Sequence, residues 1–307
     1  MTPSEKASET RYRAPAALRP GDTIAIVAPA GPFDRATFEA GLEPIAARYD
    51  VRLAPGLHGA DRYLAGSDAS RLEDLEWALG DPAIKAVFCA RGGYGTMRLL
   101  RRLAPPASKP FVGFSDITAL HLWLQRHGIR SVHGPVVTQL ATQPEDVRQR
   151  LFALLESAQA PEPLHGTECF VGGRVEGPLI GGNLSVLTRL IGTPFMPELD
   201  GAILLLEDLG ERPYRLDRMW THLELAGLLD RVRGIALGDF SACEERNAEY
   251  TSRDVLRDLV AAAGLPCVAG LPIGHGCINQ PVPLGARVRL DADACTLTFL
   301  EGAVGPD

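Results

Sequence analysis

From Thr23 onward, short apolar runs closed by turn residues alternate with amphipathic stretches. Ile24-Ala25-Ile26-Val27-Ala28, closed by Pro29-Ala30-Gly31-Pro32, reads as a buried strand. Ser70-Arg71-Leu72-Glu73 reads as a capping box opening a helix with Leu72, Leu75 and Leu79 on one face, stopped by Gly80 and Pro82. A strand over 86–90 and a glycine-rich turn come next, then a helix over 96–103, a strand over 110–114, a helix over 116–126 and a strand over 129–132. Strict alternation of this kind predicts a parallel sheet with helices on both faces.

The second half carries an apolar strand over 202–206, a helix over 214–229, a strand over 234–237 and a helix over 252–263. Period-two alternation over 287–290 and 295–300, around Asp291-Ala292-Asp293, predicts a terminal hairpin. The expected class is therefore α/β: a parallel-sheet N-terminal domain plus a smaller, β-rich α/β C-terminal domain. The expected division is a structureless tail over 1–19, a first domain over 20–150, a Pro-rich linker over 151–178 and a second domain over 179–307.

A length of 307 residues agrees with two domains, and 46% hydrophobic with 22% charged residues is ordinary for a globular chain. A formal charge of -7 without a dense Lys/Arg block argues against nucleic acid as a partner. The first residues lack the apolar stretch of a secretory signal, and no run reaches the ~18 apolar residues of a membrane span. Cys89, Cys169, Cys243, Cys267, Cys277 and Cys295 show neither a C-x-x-C pair nor regular spacing. That pattern suits neither a zinc site nor a disulfide scaffold, and a reducing cytoplasm is the expected location.

Candidate chemistry begins at Gly113-Phe114-Ser115-Asp116, a serine between a strand and a helix. There the hydroxyl projects at the sheet's carboxyl edge, beside the unpaired N–H groups of a helix start. Taken alone, the segment reads more readily as a helix cap, because serine and aspartate are favoured caps. The turn Arg91-Gly92-Gly93-Tyr94-Gly95 follows the preceding strand and should open on the same edge, where it can aim N–H groups at an oxyanion. It lacks the third glycine of a dinucleotide fingerprint, and G-K-[ST] is absent from the chain.

A serine nucleophile needs a base, and seven histidines are available. His121, His127 and His222 fall within or at the end of expected helices, and His58 and His165 lie in irregular segments. His275, between two glycines in Leu271-Pro272-Ile273-Gly274-His275-Gly276, is the most accessible to a partner, with His133 second. Glu207 and Asp208 end an apolar strand, where either carboxylate could orient an imidazole; Glu207 adjoins the strand more directly.

Six segments together resemble the LD-carboxypeptidase family, serine peptidases of the S66 type: GDTIAIVAPAGP, RGGYG, VGFSDIT, GPLIGGNLSVLTRLIGTP, LLLEDLGERPYRLDRM and LPIGHG. The resemblance implies Ser115 as nucleophile, His275 as base and Glu207 as its orienter. It also implies an oxyanion hole from the backbone N–H of Asp116 and of Gly92 or Gly93. The implied substrate is a cytoplasmic murein tetrapeptide losing its terminal D-alanine, with no metal or cofactor, and the implied assembly is a homodimer. Arg91, and with it Tyr94, is expected to hold the leaving residue. Two other readings remain at this point: a relative of the microcin C self-immunity amidases, and a non-catalytic protein binding a small ligand between two lobes.

Overall fold

The computed structural model describes residues 11–306. The elements of the first half are β1 (Thr23–Val27), α1 (Arg35–Ala46), β2 (Asp50–Leu53), α2 (Asp68–Gly80), β3 (Ala86–Cys89), β4 (Phe111–Gly113), α3 (Thr118–Arg126), β5 (Ser131–His133), α4 (Val137–Leu140) and α5 (Glu145–Glu156). Next come β6 (Leu164–His165), β7 (Glu168–Val171), β8 (Arg174–Asn183), α6 (Leu184–Thr188), β9 (Ile203–Leu209), α7 (Pro213–Leu225), β10 (Gly234–Ser241) and α8 (Ser252–Ala263). The chain closes with β11 (Cys267–Ala269), β12 (Val282–Leu284), β13 (Arg287–Asp291) and β14 (Thr296–Phe299).

Two sheets result, with strand orders β12-β5-β4-β3-β1-β2 and β6-β14-β13-β8-β9-β10-β11-β7. The first is parallel from β5 to β2, as the strand–helix alternation predicts. In the second, β8 to β11 are parallel and the flanking strands antiparallel, including the β13–β14 hairpin. The central strands β1 and β3 and the first four residues of β9 are predominantly apolar and almost wholly buried, which is why they read as continuous rather than alternating runs. Helix α3 packs against β5 on one side and β8 on the other, so it lies between the two sheets.

Several expectations are corrected. Of the tail over 1–19, residues 1–10 lie outside the described residues, but the rest is packed: Tyr12 and Leu18 are buried, and Arg13 and Ala16 form bridges with Ile129 and Gly305. The passage over 151–178 contains helix, as expected of it, but does more than link two domains. It holds the end of α5, the strands β6 and β7 and the start of β8, whose ladder bonds outweigh the local proline signal. Residues 179–307 do not all serve one unit either, since β12 returns to pair antiparallel with β5 at the edge of the first sheet. Helix α2 starts earlier than the Ser70 reading, with Ser67 accepting from Ser70 N at 3.1 Å. The stretch over 96–103 forms only a 3-10 turn, Thr96–Arg98, with Pro105 and Pro106 close behind.

Candidate active site

The turn that carries Ser115 is built by a sharp reversal. Phe114 is extended, Ser115 has φ +63°, and a 3-10 turn over Ser115–Ile117 runs directly into α3. A non-glycine residue in the left-handed region costs about 1–3 kcal/mol, and such strain persists where surrounding packing dictates it. Here a Cβ on Gly113 would stand 2.7 Å from Ile117 Cγ2, so strand and helix close tightly on each other. Ser115 thereby faces a cleft of 950 Å³ that His275 also lines.

The glycine turn after β3 lies against the serine. A Cβ on Gly92 would fall 2.9 Å from Ser115 Cβ and 3.0 Å from its Oγ, so only glycine permits this approach. Gly92 C=O accepts from Gly31 N at 3.0 Å, which turns the N–H of the same peptide, that of Gly93, to the opposite side. The buried Asp116 carboxylate accepts from Thr96 N at 2.9 Å, and Thr96 Oγ1 donates to Asp116 O at 2.7 Å. These bonds fasten the two turns together. Burial holds the Asp116 carboxyl above its ordinary range, opposed by the Thr96 bonds. The Asp116 N–H lies in the first turn of its helix, where backbone donors lack intrahelical partners.

On the other side of the cleft, His275 Nδ1 donates to Glu207 Oε2 at 2.6 Å. Because a carboxylate only accepts, Nδ1 carries the proton and Nε2 is left for another partner. Glu207 is wholly buried at the end of β9, behind the ring rather than on the cleft surface. Gly274, at φ +117°, lets the loop pass over this carboxylate: a Cβ there would sit 2.6 Å from Glu207 Oε2. Buried Asn279 fixes the same loop, accepting from Gly274 N at 2.9 Å while donating to Gln143 and Gln139. Phe114 packs on the imidazole, with ring centroids 4.7 Å apart.

Burial is the largest influence on His275 and favours its neutral form. The Glu207 hydrogen bond and charge, with the fields of Asp208 and Asp239, outweigh it, so the pKa is raised. Burial lifts Asp208 to about 6 despite its N–H partners, and lifts Asp239 as well. Ser115 Oγ forms no hydrogen bond with another side chain among the described residues. Ser115 and His275 line the same cleft, and catalytic serine–imidazole links are commonly long without substrate.

Of the sequence-nominated residues, Ser115, Asp116, His275, Gly92, Gly93, Arg91 and Tyr94 line this cleft, with Glu207 directly behind His275. Arg91 donates to Pro32 O and pairs with no carboxylate among the described residues. His133 does not line the cleft. It is wholly buried between Phe114 and His121, with burial pushing its pKa well below the ordinary value. His121 is a buried structural residue, bonded to Ser131 Oγ and Gly113 O at 2.8 Å each.

Sequence reasoning missed Asn183, Ser185, Arg189 and Glu211 on the opposite wall, and weighed its Asp208 only as an alternative to Glu207 for orienting the imidazole. The signal was present in Gly181-Gly182-Asn183, a strand end running straight into a helix, and in the second acid of the Glu207-Asp208 pair. No group of three or more His, Cys, Asp or Glu side chains among the described residues could hold a metal ion. Among those residues no helix is long and apolar enough to cross a membrane.

Residues 24–134 match the LD-carboxypeptidase N-terminal domain, and residues 176–290 the LD-carboxypeptidase C-terminal domain. A putative carboxypeptidase of Synechocystis is 41% identical over 93% of this chain and 97% of its own length. The murein tetrapeptide carboxypeptidase of Pseudomonas aeruginosa is 36% identical over 88% of this chain and 93% of its own. Among solved structures, the muramoyltetrapeptide carboxypeptidase from Oxalobacter formigenes superposes with TM-score 0.80 at 30% identity, covering 92% of this chain and all of that one (100%). MccF in complex with glutamyl sulfamoyl guanosine superposes with TM-score 0.86 at 22% identity, covering 95% and 99%, a likeness of fold. Two domain matches in sequence order and relatives aligned nearly end to end place this chain in the LD-carboxypeptidase family.

Proposed function

We propose that this protein is a cytoplasmic serine LD-carboxypeptidase that releases the terminal D-alanine of murein tetrapeptides, with Ser115, His275 and Glu207 acting as a unit. Ser115 Oγ attacks the carbonyl carbon of the L,D bond as His275 Nε2 takes its proton. Glu207 holds the ring in the Nδ1–H form and stabilises the imidazolium. The oxyanion is received by the N–H groups of Asp116 and Gly93, and Arg91 holds the carboxylate of the departing D-alanine. The imidazolium then protonates the leaving amine, and water, deprotonated by the same imidazole, hydrolyses the acyl-enzyme.

The observation that carries this reading is the 2.6 Å His275–Glu207 pair, whose imidazole lines the same cleft as a serine held at positive φ. The choice of a murein peptide is supported by the name of the Pseudomonas relative at 36% identity. The test is incubation with a defined tetrapeptide, with the released amino acid identified by mass spectrometry and its stereochemistry determined. D-alanine is expected. Release of an amino acid from an aminoacyl-sulfamoyl adenylate instead would move the reading to the antibiotic amidases. An active-site phosphonate that leaves Ser115 unlabelled, with no amide cut, would leave a binding protein.

A further inference from the structure

Ser115 follows β4 of the first sheet, Glu207 lies on β9 of the second, and the His275 loop runs from β11 of the second sheet to β12 of the first; the proposed chemistry needs all three at a fixed spacing. Between their supporting elements runs a buried chain of hydrogen bonds. Thr118, the first residue of α3 and three residues after Ser115, accepts through Oγ1 from Asn183 N at 3.0 Å. Asn183, at the end of β8, donates through Nδ2 to Asp208 Oδ1 at 3.0 Å. Asp208 follows Glu207 on β9, and its carboxylate also accepts from Leu209 N and Ser185 N, each at 2.8 Å. The remaining side-chain oxygen of Asn183 caps α6 by accepting from Val186 N at 3.1 Å.

All three side chains are buried: Thr118 at 0%, Asn183 at 5% and Asp208 at 3% exposure. Gly182 makes room for the contact, with φ +136° and a position at which a Cβ would lie 2.6 Å from Thr118 Oγ1. Successive side chains on a strand point to opposite faces. The end of β9 therefore presents one carboxylate to the imidazole and the next to Asn183 and the start of α6. A second bond between α3 and β8, from Gln125 Nε2 to Leu179 O at 3.3 Å, lies at the far end of the helix. Asn279 fixes the His275 loop, but it does not hold Glu207's strand against α3.

We infer that Thr118, Asn183 and Asp208 form a positioning strap that sets the distance between the Ser115 hydroxyl and the His275–Glu207 pair. The inference rests on the serine-hydrolase reading above. Thr118→Val keeps the shape of the side chain but removes the acceptor, leaving the Asn183 N–H buried and unpaired. A displacement of ~1 Å between reacting groups costs roughly 10²-fold in rate. Thr118→Val should therefore lower kcat and the rate of phosphonate labelling of Ser115 by about that factor, with KM changed less than about three-fold. Thr118→Ser, which restores the hydroxyl, should recover most of the loss.

All assays are run well below each variant's melting temperature. Asp208→Asn, which cuts the strap at its other end, serves if Thr118→Val does not fold. The double variant should be no slower than the worse single one, because the two changes break the same connection. Wild-type kcat and labelling in folded Thr118→Val, a Thr118→Ser as slow as the valine variant, or multiplied losses in the double variant would each overturn the strap. Wild-type protein that is labelled at Ser115 yet releases no D-alanine would refute the peptide assignment, and the labelling rates would still decide the strap. Wild-type protein that resists the phosphonate would overturn both.

Discussion

Replacing Glu207 by glutamine tests the proposed charge arrangement most directly. The side-chain shape is retained and an amide oxygen can still accept from His275 Nδ1, so the ring stays oriented while the buried charge disappears. In the native protein that bond is 2.6 Å long and made to a wholly buried carboxylate. A charged hydrogen bond is worth about 1.5–3 kcal/mol net, which corresponds to roughly ten- to 150-fold in kcat/KM if it strengthens as the imidazolium forms. The direction of the pH effect is also fixed. Burial, the largest influence on His275, favours the neutral ring; the Glu207 bond and charge, aided by Asp208 and Asp239, raise the pKa above its ordinary value. A base must be neutral to act, so activity should rise as pH climbs through that raised value. Removing Glu207's charge leaves burial less opposed, and the acidic limb of the kcat/KM profile should move to lower pH while the plateau falls. Steady-state rates of D-alanine release between pH 5 and pH 9 (a span of about ±2 around the histidine range) read both effects. An unmoved limb, or one displaced upward, would refute the assignment of His275 as the base paired to Glu207.

Other outcomes follow from the same geometry. Ser115→Ala should abolish phosphonate labelling and turnover, and Ser115→Gly should do so while being more stable than the alanine variant by about 1 kcal/mol, because glycine accepts φ +63° without strain; urea denaturation compares the two. Gly274→Ala should cut kcat at least about 10²-fold, since its Cβ would stand 2.6 Å from Glu207 Oε2 and force the imidazole off the carboxylate. Both ring nitrogens of wholly buried His133 lack partners among the described residues, so His133→Leu should retain turnover and change stability by no more than about 1 kcal/mol, or raise it. Loss of turnover in folded His133→Leu would return that residue to consideration as the base.

Much of this architecture was legible in the chain because its signals are local. A buried parallel strand must be apolar throughout, and a helix beginning immediately after it needs a break; Phe111 to Thr118 records both in eight residues. The isolated glycines around His275 likewise pointed to an imidazole accessible to a partner, and the structure shows that partner to be Glu207, with Gly274 packed against it. Less legible were features whose cause lies elsewhere. The prolines near Ala160 suggested a link, yet the neighbouring residues join strands because β14 and β11 offer them unpaired edges. Asp208 looked like the surplus member of an acidic pair until its partners, Asn183 and Ser185, arrived from β8 and α6.

The amino-acid sequence by itself determined the alternation of strands and helices, the family and the residue types able to carry acyl transfer, because each is written in short-range pattern and motif. Only the tertiary structure decided which histidine meets a carboxylate, that His133 is sealed in the core and that β12 returns to the first sheet. Those outcomes depend on side chains separated by many residues competing for the same buried space. Their hydrogen bonds form only once two sheets have packed around α3, and that convergence has no local signature in the chain.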